Sequence, residues 1–155
     1  MYLLVYHLPN VDYSERGSVL YIQAGGRLLP QTVIYTVSDY GGEKWYFTEE
    51  GLRYIHDSRR RRISQRFVLD YLHQIPIIMR SPAIVARKPG DENFLYCKPV
   101  TIKEFSFHPR LLIVVGKKSN LNVIWNFFWQ EQNRLPREAA EIVYRASARY
   151  RKYMG

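Results

Sequence analysis

His56 stands three residues before four consecutive arginines, Arg59, Arg60, Arg61 and Arg62. An imidazole can move a proton near neutral pH, and guanidinium forks hold phosphate oxygens in pairs. Side by side, these groups are what acid–base chemistry on a phosphodiester requires. With Arg66 the cluster holds five guanidiniums in eight positions, and only Asp57 and Asp70 lie close in sequence. Like charges at that density repel, so an acidic partner is expected. A plainer reading stays open: the run is a solvated basic face, and His56 only ends a short helix.

Two further stretches carry candidate chemistry. In Phe94 to Lys98, period-2 alternation puts Phe94, Tyr96 and Lys98 on one face and Leu95 and Cys97 on the other. Tyr96 and Lys98 then offer a donor and a cation to charge developing on phosphorus. In Trp125 to Trp129 the same alternation groups Trp125, Phe127 and Trp129, opposite Asn126 and Phe128. Exposed aromatics beside basic charge stack bases, while the alternative for this run is core packing. His7 and His73 read as structural, and His108, before Pro109, is uninformative. No phosphate-cradling glycine loop, HExxH helix, nucleophile elbow or acidic metal cluster is present, so no metal or cofactor is expected.

The whole chain agrees with a polyanionic partner. Its 155 residues carry a net charge of +9, and 46% apolar with 15% aromatic content is enough for a proper core. The 13 tyrosines suit strands and binding surfaces. No apolar stretch approaches the roughly 18–20 residues of a membrane-spanning helix. The apolar run at the N-terminus is short and lacks a basic segment before it, unlike a signal peptide. Cys97 is the only cysteine. That excludes an intrachain disulfide and a cysteine-based zinc site, and a reducing, cytoplasmic setting is expected.

The elements that must position these residues read as one α+β domain over 1–155, an antiparallel sheet packed by helices. Residues 1–47 form a β-rich N-terminal portion, with strands at Tyr2 to Leu8, Ser18 to Gln23, Thr32 to Val37 and Lys44 to Phe47. Thr48 should cap a short helix over 49–57 that carries Glu49, Glu50 and His56. Ser64 should cap a longer one, with Phe67, Val68, Tyr71, Leu72 and Ile75 on one face and Pro76 and Pro82 bracketing its end. Strands follow at Ala83 to Arg87, Phe94 to Lys98, Leu111 to Val115 and Leu121 to Phe128. A basic helix over 134–153 closes the chain, with Ala139, Ile142, Val143, Ala146 and Tyr150 as its apolar stripe.

The order of these pieces resembles the barnase–EndoU–colicin–RelE-like nucleases, phage- and toxin-associated members in particular. The matching stretches are His56 with the arginines, Phe67 to Pro82, Ala83 to Arg87, Leu95 to Lys98, Leu111 to Gly116 and Asn122 to Phe127, within a nuclease-like core over 48–130. The resemblance implies metal-independent RNA cleavage. A base takes the proton of the ribose 2′-hydroxyl, which attacks phosphorus, and an acid protonates the leaving 5′-oxygen. It implies His56 as acid or base and Lys98 and Arg59 as charge stabilisers. Where the family places Thr or Ser in the last strand, this chain offers Trp125 or Asn126; Asn126 can hydrogen-bond a phosphate oxygen. RNA would be held by Arg59, Arg60, Arg61, Arg62, Arg66, Tyr96 and Trp125. Three functions remain: an RNA-directed nuclease, a non-catalytic nucleic-acid-binding protein on the same scaffold, and a protein-interaction module. Under the first, a protein inhibitor is a further expected partner.

Overall fold

The computed structural model describes residues 5–131, 134–136 and 141–146. Strand β1 (Val19–Ala24) and strand β2 (Arg27–Ser38) pair antiparallel around Gly25 and Gly26. Both glycines have positive φ, 58° and 74°, which a tight two-residue hairpin requires. Strand β3 (Lys44–Thr48) returns along β2. Thr48 then ends the strand, and its hydroxyl accepts from the Gly51 amide at 3.1 Å to start helix α1 (Glu49–Arg60). The cap is the one expected, but the helix runs past Asp57 and takes in Arg59 and Arg60.

The next segment differs from the expectation. Ile63–Tyr71 winds as 3-10 turns, and helix α2 (Gln74–Arg80) follows as a separate piece. Pro76 lies inside the first turn of α2, where its missing N–H is not needed, and so does not bracket the end of a long helix. Ser64 does not cap; its hydroxyl donates to Glu131 at 3.3 Å. The apolar face is nevertheless as expected, with Val68, Leu72 and Ile75 fully buried.

Strands β4 (Ile84–Arg87), β5 (Asn93–Thr101), β6 (Pro109–Lys118), β7 (Asn122–Trp129) and β8 (Glu141–Arg145) complete one eight-stranded sheet in the order β1-β2-β3-β7-β6-β5-β4-β8. The expected purely antiparallel sheet is instead mixed. β3 and β7 run parallel, with Tyr46 opposite Val123 and Phe47 opposite Ile124. Between them the chain makes a long excursion through helices and three other strands, and this allows the return in the same direction.

Both chain ends also correct the sequence reading. Residues 5–8 are not a strand: the Tyr13 hydroxyl donates to the Val5 carbonyl (2.7 Å) and accepts from the Leu8 amide (2.8 Å), so a side chain replaces the ladder. Tyr2 to Leu4 lie outside the described residues. Glu141–Arg145, expected within the closing helix, is β8, antiparallel to β4. Ile142 packs on one face of the sheet, while Tyr144 turns to the other and stacks on Tyr40 at 4.2 Å. Their β-branched and aromatic side chains suit an edge position that the open flank of β4 provides. Ala139 and Tyr150 of the expected stripe lie outside the described residues.

The sheet buries two faces. The first carries Trp45, Tyr35, Phe47, Tyr96 and Phe127 under α1, the 3-10 turns and α2. The second carries Ile84, Cys97, Leu111 and Ile113 and is covered in part by Leu135. Among the described residues no helix is long and apolar enough to cross a membrane.

Candidate functional site

The last turn of α1 and the 3-10 segment display the arginines. Arg60, Arg61, Arg62 and Arg66 are exposed. A helix C-terminus leaves its final carbonyls unpaired, and two of these side chains turn back onto them. Arg61 Nε donates to the Asp57 carbonyl (3.0 Å) and Arg66 Nε to the Arg60 carbonyl (2.8 Å). Each guanidinium is thereby oriented through Nε, while its two Nη groups meet no acceptor among the described residues. Arg62 forms the run's one described ion pair, to Glu131 at 3.2 Å.

Arg59 is different. It is 9% exposed, with Nη1 donating to Gln65 Oε1 at 3.3 Å and the guanidinium 5.7 Å from the Phe128 ring centre. Its Nε is buried without a partner. Burial lowers the Arg59 pKa from its ordinary value. Gln65 also ties down the free edge of β7. Its Nε2 donates to the Trp129 carbonyl (2.9 Å) and its Oε1 accepts from the Trp129 amide (3.2 Å). Arg59 thus braces the junction of α1 with the sheet rather than facing solvent.

His56 lies on α1, partly buried, with Nδ1 3.5 Å from an Asp57 carboxylate oxygen. Lys98 follows the alternation of β5, in which Tyr96 belongs to the first face and Cys97 to the second, so Lys98 stands on the first face. Asn126 pairs with Val115, a second-face residue, and shares that face. Lys98 and Asn126 are therefore on opposite sides of the sheet and do not meet in one cleft. The Asn126 side chain instead accepts from the Phe127 amide at 2.8 Å.

A bulge explains Trp125. Gly116 pairs with Ile124, but Val115 pairs with Asn126, which leaves Trp125 as the extra residue. Trp125 consequently packs on the second face, whereas Phe127 and Trp129 pack on the first. This corrects the simple alternation that grouped all three. The Trp125 indole donates to Asn93 Oδ1 (3.0 Å), and its ring lies 5.0 Å from that of Tyr54 on α1.

Tyr96 is 2% exposed. Its hydroxyl donates to Asp39 Oδ2 (2.8 Å), which also accepts from Trp45 Nε1 (3.0 Å), while Asp39 Oδ1 accepts from the Gly41 and Glu43 amides, both at 2.9 Å. Burial, with the Asp39 hydrogen bond and charge, holds the Tyr96 pKa far above the usual phenol range. Tyr96 faces the interior, not a ligand.

No local sequence pattern marks out Asp39, Gln65 or Tyr54. Asp39 is a turn residue that accepts from the Gly41 and Glu43 amides, and only the fold brings Trp45 and Tyr96 to its second oxygen. Among the described residues no three His, Cys, Asp or Glu side chains gather as metal ligands would. Comparison with protein-family models, curated proteins and solved structures finds no match.

Proposed function

We propose that this protein binds nucleic acid, RNA foremost, by gripping phosphates with the arginines at the end of α1. One observation carries the reading: Arg60, Arg61, Arg62 and Arg66 crowd one exposed helix end, and Glu131 is the only acid described in an ion pair with them. The Nε-to-carbonyl bonds of Arg61 and Arg66 pre-orient two forks, which reduces the ordering cost of bidentate phosphate binding. The +9 net charge would steer such a partner toward the surface.

Binding is better supported than cutting. The cleavage reading needs Lys98 and Asn126 to address one phosphorus, and they lie on opposite faces of the sheet. The test is RNA binding measured across a salt series. Replacing Arg60, Arg61, Arg62 and Arg66 by Ala should flatten the slope of log K against log salt by about 0.7 for each single-strand phosphate that the variant no longer neutralises. An unchanged slope, or no binding by the wild type at low salt, would overturn the proposal. Incubating the same RNA with the protein in EDTA checks for cleavage. Loss of such cleavage in both His56→Ala and Lys98→Ala would restore the nuclease reading.

A further inference from the structure

The β1–β2 hairpin folds back toward the β6–β7 turn. Asn120, in that turn, accepts from the Gln23 amide (3.0 Å) and donates to the Tyr21 carbonyl (2.8 Å), so a side chain occupies the outer edge of β1 as a strand would. Glu50 on α1 holds the hairpin from its other end by accepting from the Thr32 amide at 2.7 Å. Between hairpin, α1 and β7 lies a half-open cavity of about 390 Å³. That volume lies within the usual span of small-ligand sites, roughly 300–1,000 Å³.

The walls of the cavity are mainly apolar: Ile22, Leu29 and Val123, with the aromatic pair Tyr54 and Trp125. Gly51 allows the helix to approach so closely. A Cβ there would stand 2.8 Å from the Ile124 carbonyl oxygen, so only glycine sets α1 against β7 and brings Tyr54 to Trp125. Glu50 and Lys117 are the charged groups of the lining. Glu50 accepts from the Thr32 amide and Lys117 pairs with Glu92 at 3.7 Å, so the two opposite charges of the lining give it no net pull on a phosphate.

One member of the arginine patch, Arg61, falls on the same side of α1 as Tyr54. Tyr54 and Arg61 are seven residues apart, two turns of helix, which puts them about 10 Å apart along one side of α1. An apolar, aromatic-walled cavity beside oriented cations is the pairing that holds single strands, with the backbone on the charge and a base against the rings. A paired, stacked base could not enter. Resting on the phosphate-binding reading above, we propose that the cavity takes one unpaired base of a single-stranded nucleic acid whose phosphates lie on Arg61 and its neighbours.

Fluorescence anisotropy with a labelled single-stranded RNA octamer, and with the duplex of the same sequence, tests this at low salt. Tyr54→Ala removes an exposed ring, and Leu29→Trp fills the cavity from the hairpin; thermal melts confirm that each variant is folded. Each should weaken single-strand binding by about tenfold or more and leave duplex binding unchanged, whereas Arg61→Ala should weaken both. Equal affinity for strand and duplex, unmoved by Tyr54→Ala and Leu29→Trp, would overturn the cavity assignment and leave the phosphate grip standing. No binding of either by the wild type would overturn both.

Discussion

Asp39→Ala is expected to be among the most damaging single substitutions in this chain. The carboxylate accepts four hydrogen bonds, two from the amides of Gly41 and Glu43 and two from the side chains of Trp45 and Tyr96. The two amides lie in a surface turn that water can reach once the carboxylate is removed. The indole N–H and phenol O–H cannot be reached so easily, since Trp45 is fully buried and Tyr96 is 2% exposed. Each buried donor left unpaired costs about 1–3 kcal/mol, so Asp39→Ala should lose about 3–5 kcal/mol in all. For a chain of this size that corresponds to a fall in Tm of roughly 6–20 °C. Urea unfolding at neutral pH, followed by tryptophan fluorescence, measures the loss. Adding Tyr96→Phe removes one orphaned donor, so the double variant should be more stable than the sum of the two single losses. A loss below about 1 kcal/mol, or strict additivity with Tyr96→Phe, would refute the claim that these donors are sealed from water.

Other substitutions follow from the same geometry. A Cβ on Gly116 would stand 2.4 Å from the Trp45 ring, so Gly116→Ala should cost about 1–3 kcal/mol, measured by urea unfolding, with most of it absent in a Trp45→Leu background. The Tyr35 hydroxyl is buried with no hydrogen-bond partner, so Tyr35→Phe should raise stability by about 1 kcal/mol in the same assay. Arg59→Ala should lower Tm yet change RNA affinity less than Arg61→Ala, because Arg59 is buried against Phe128 and Gln65. Burial raises the pKa values of Tyr35, Tyr96 and Cys97 above their ordinary 10.0, 10.0 and 9.0. These groups stay neutral when folded but ionise when unfolded, so their stabilisation is complete below about pH 9 and declines as pH rises past 9 to 10. A stability–pH profile tests this, and native Cys97 should resist thiol reagents until the protein unfolds.

Local chemistry made much of the fold legible. The Gly25–Gly26 turn, the Thr48 cap and the alternation in Phe94 to Lys98 each follow from what neighbouring residues allow, and each is present. The charge of the arginine run is likewise a property of composition alone. What local pattern could not carry is partnership. Ile142 and Val143 fit the expected helical stripe yet are β-branched and suit a strand as well, and the open flank of β4 selects the strand.

The sequence alone determined that a dense positive charge would follow His56 and that aromatic and basic residues would recur on strands. Tertiary structure decided which of them face outward. One extra residue at the β6–β7 bulge turned Trp125 away from Phe127 and Trp129, and pairing with Val115 put Asn126 across the sheet from Lys98. Asp39 drew Tyr96 inward, and Gln65 and Phe128 drew in Arg59. The reason is that strand register and a bulge set the facing of a side chain through backbone pairing with residues far away in the chain, which no local spacing encodes.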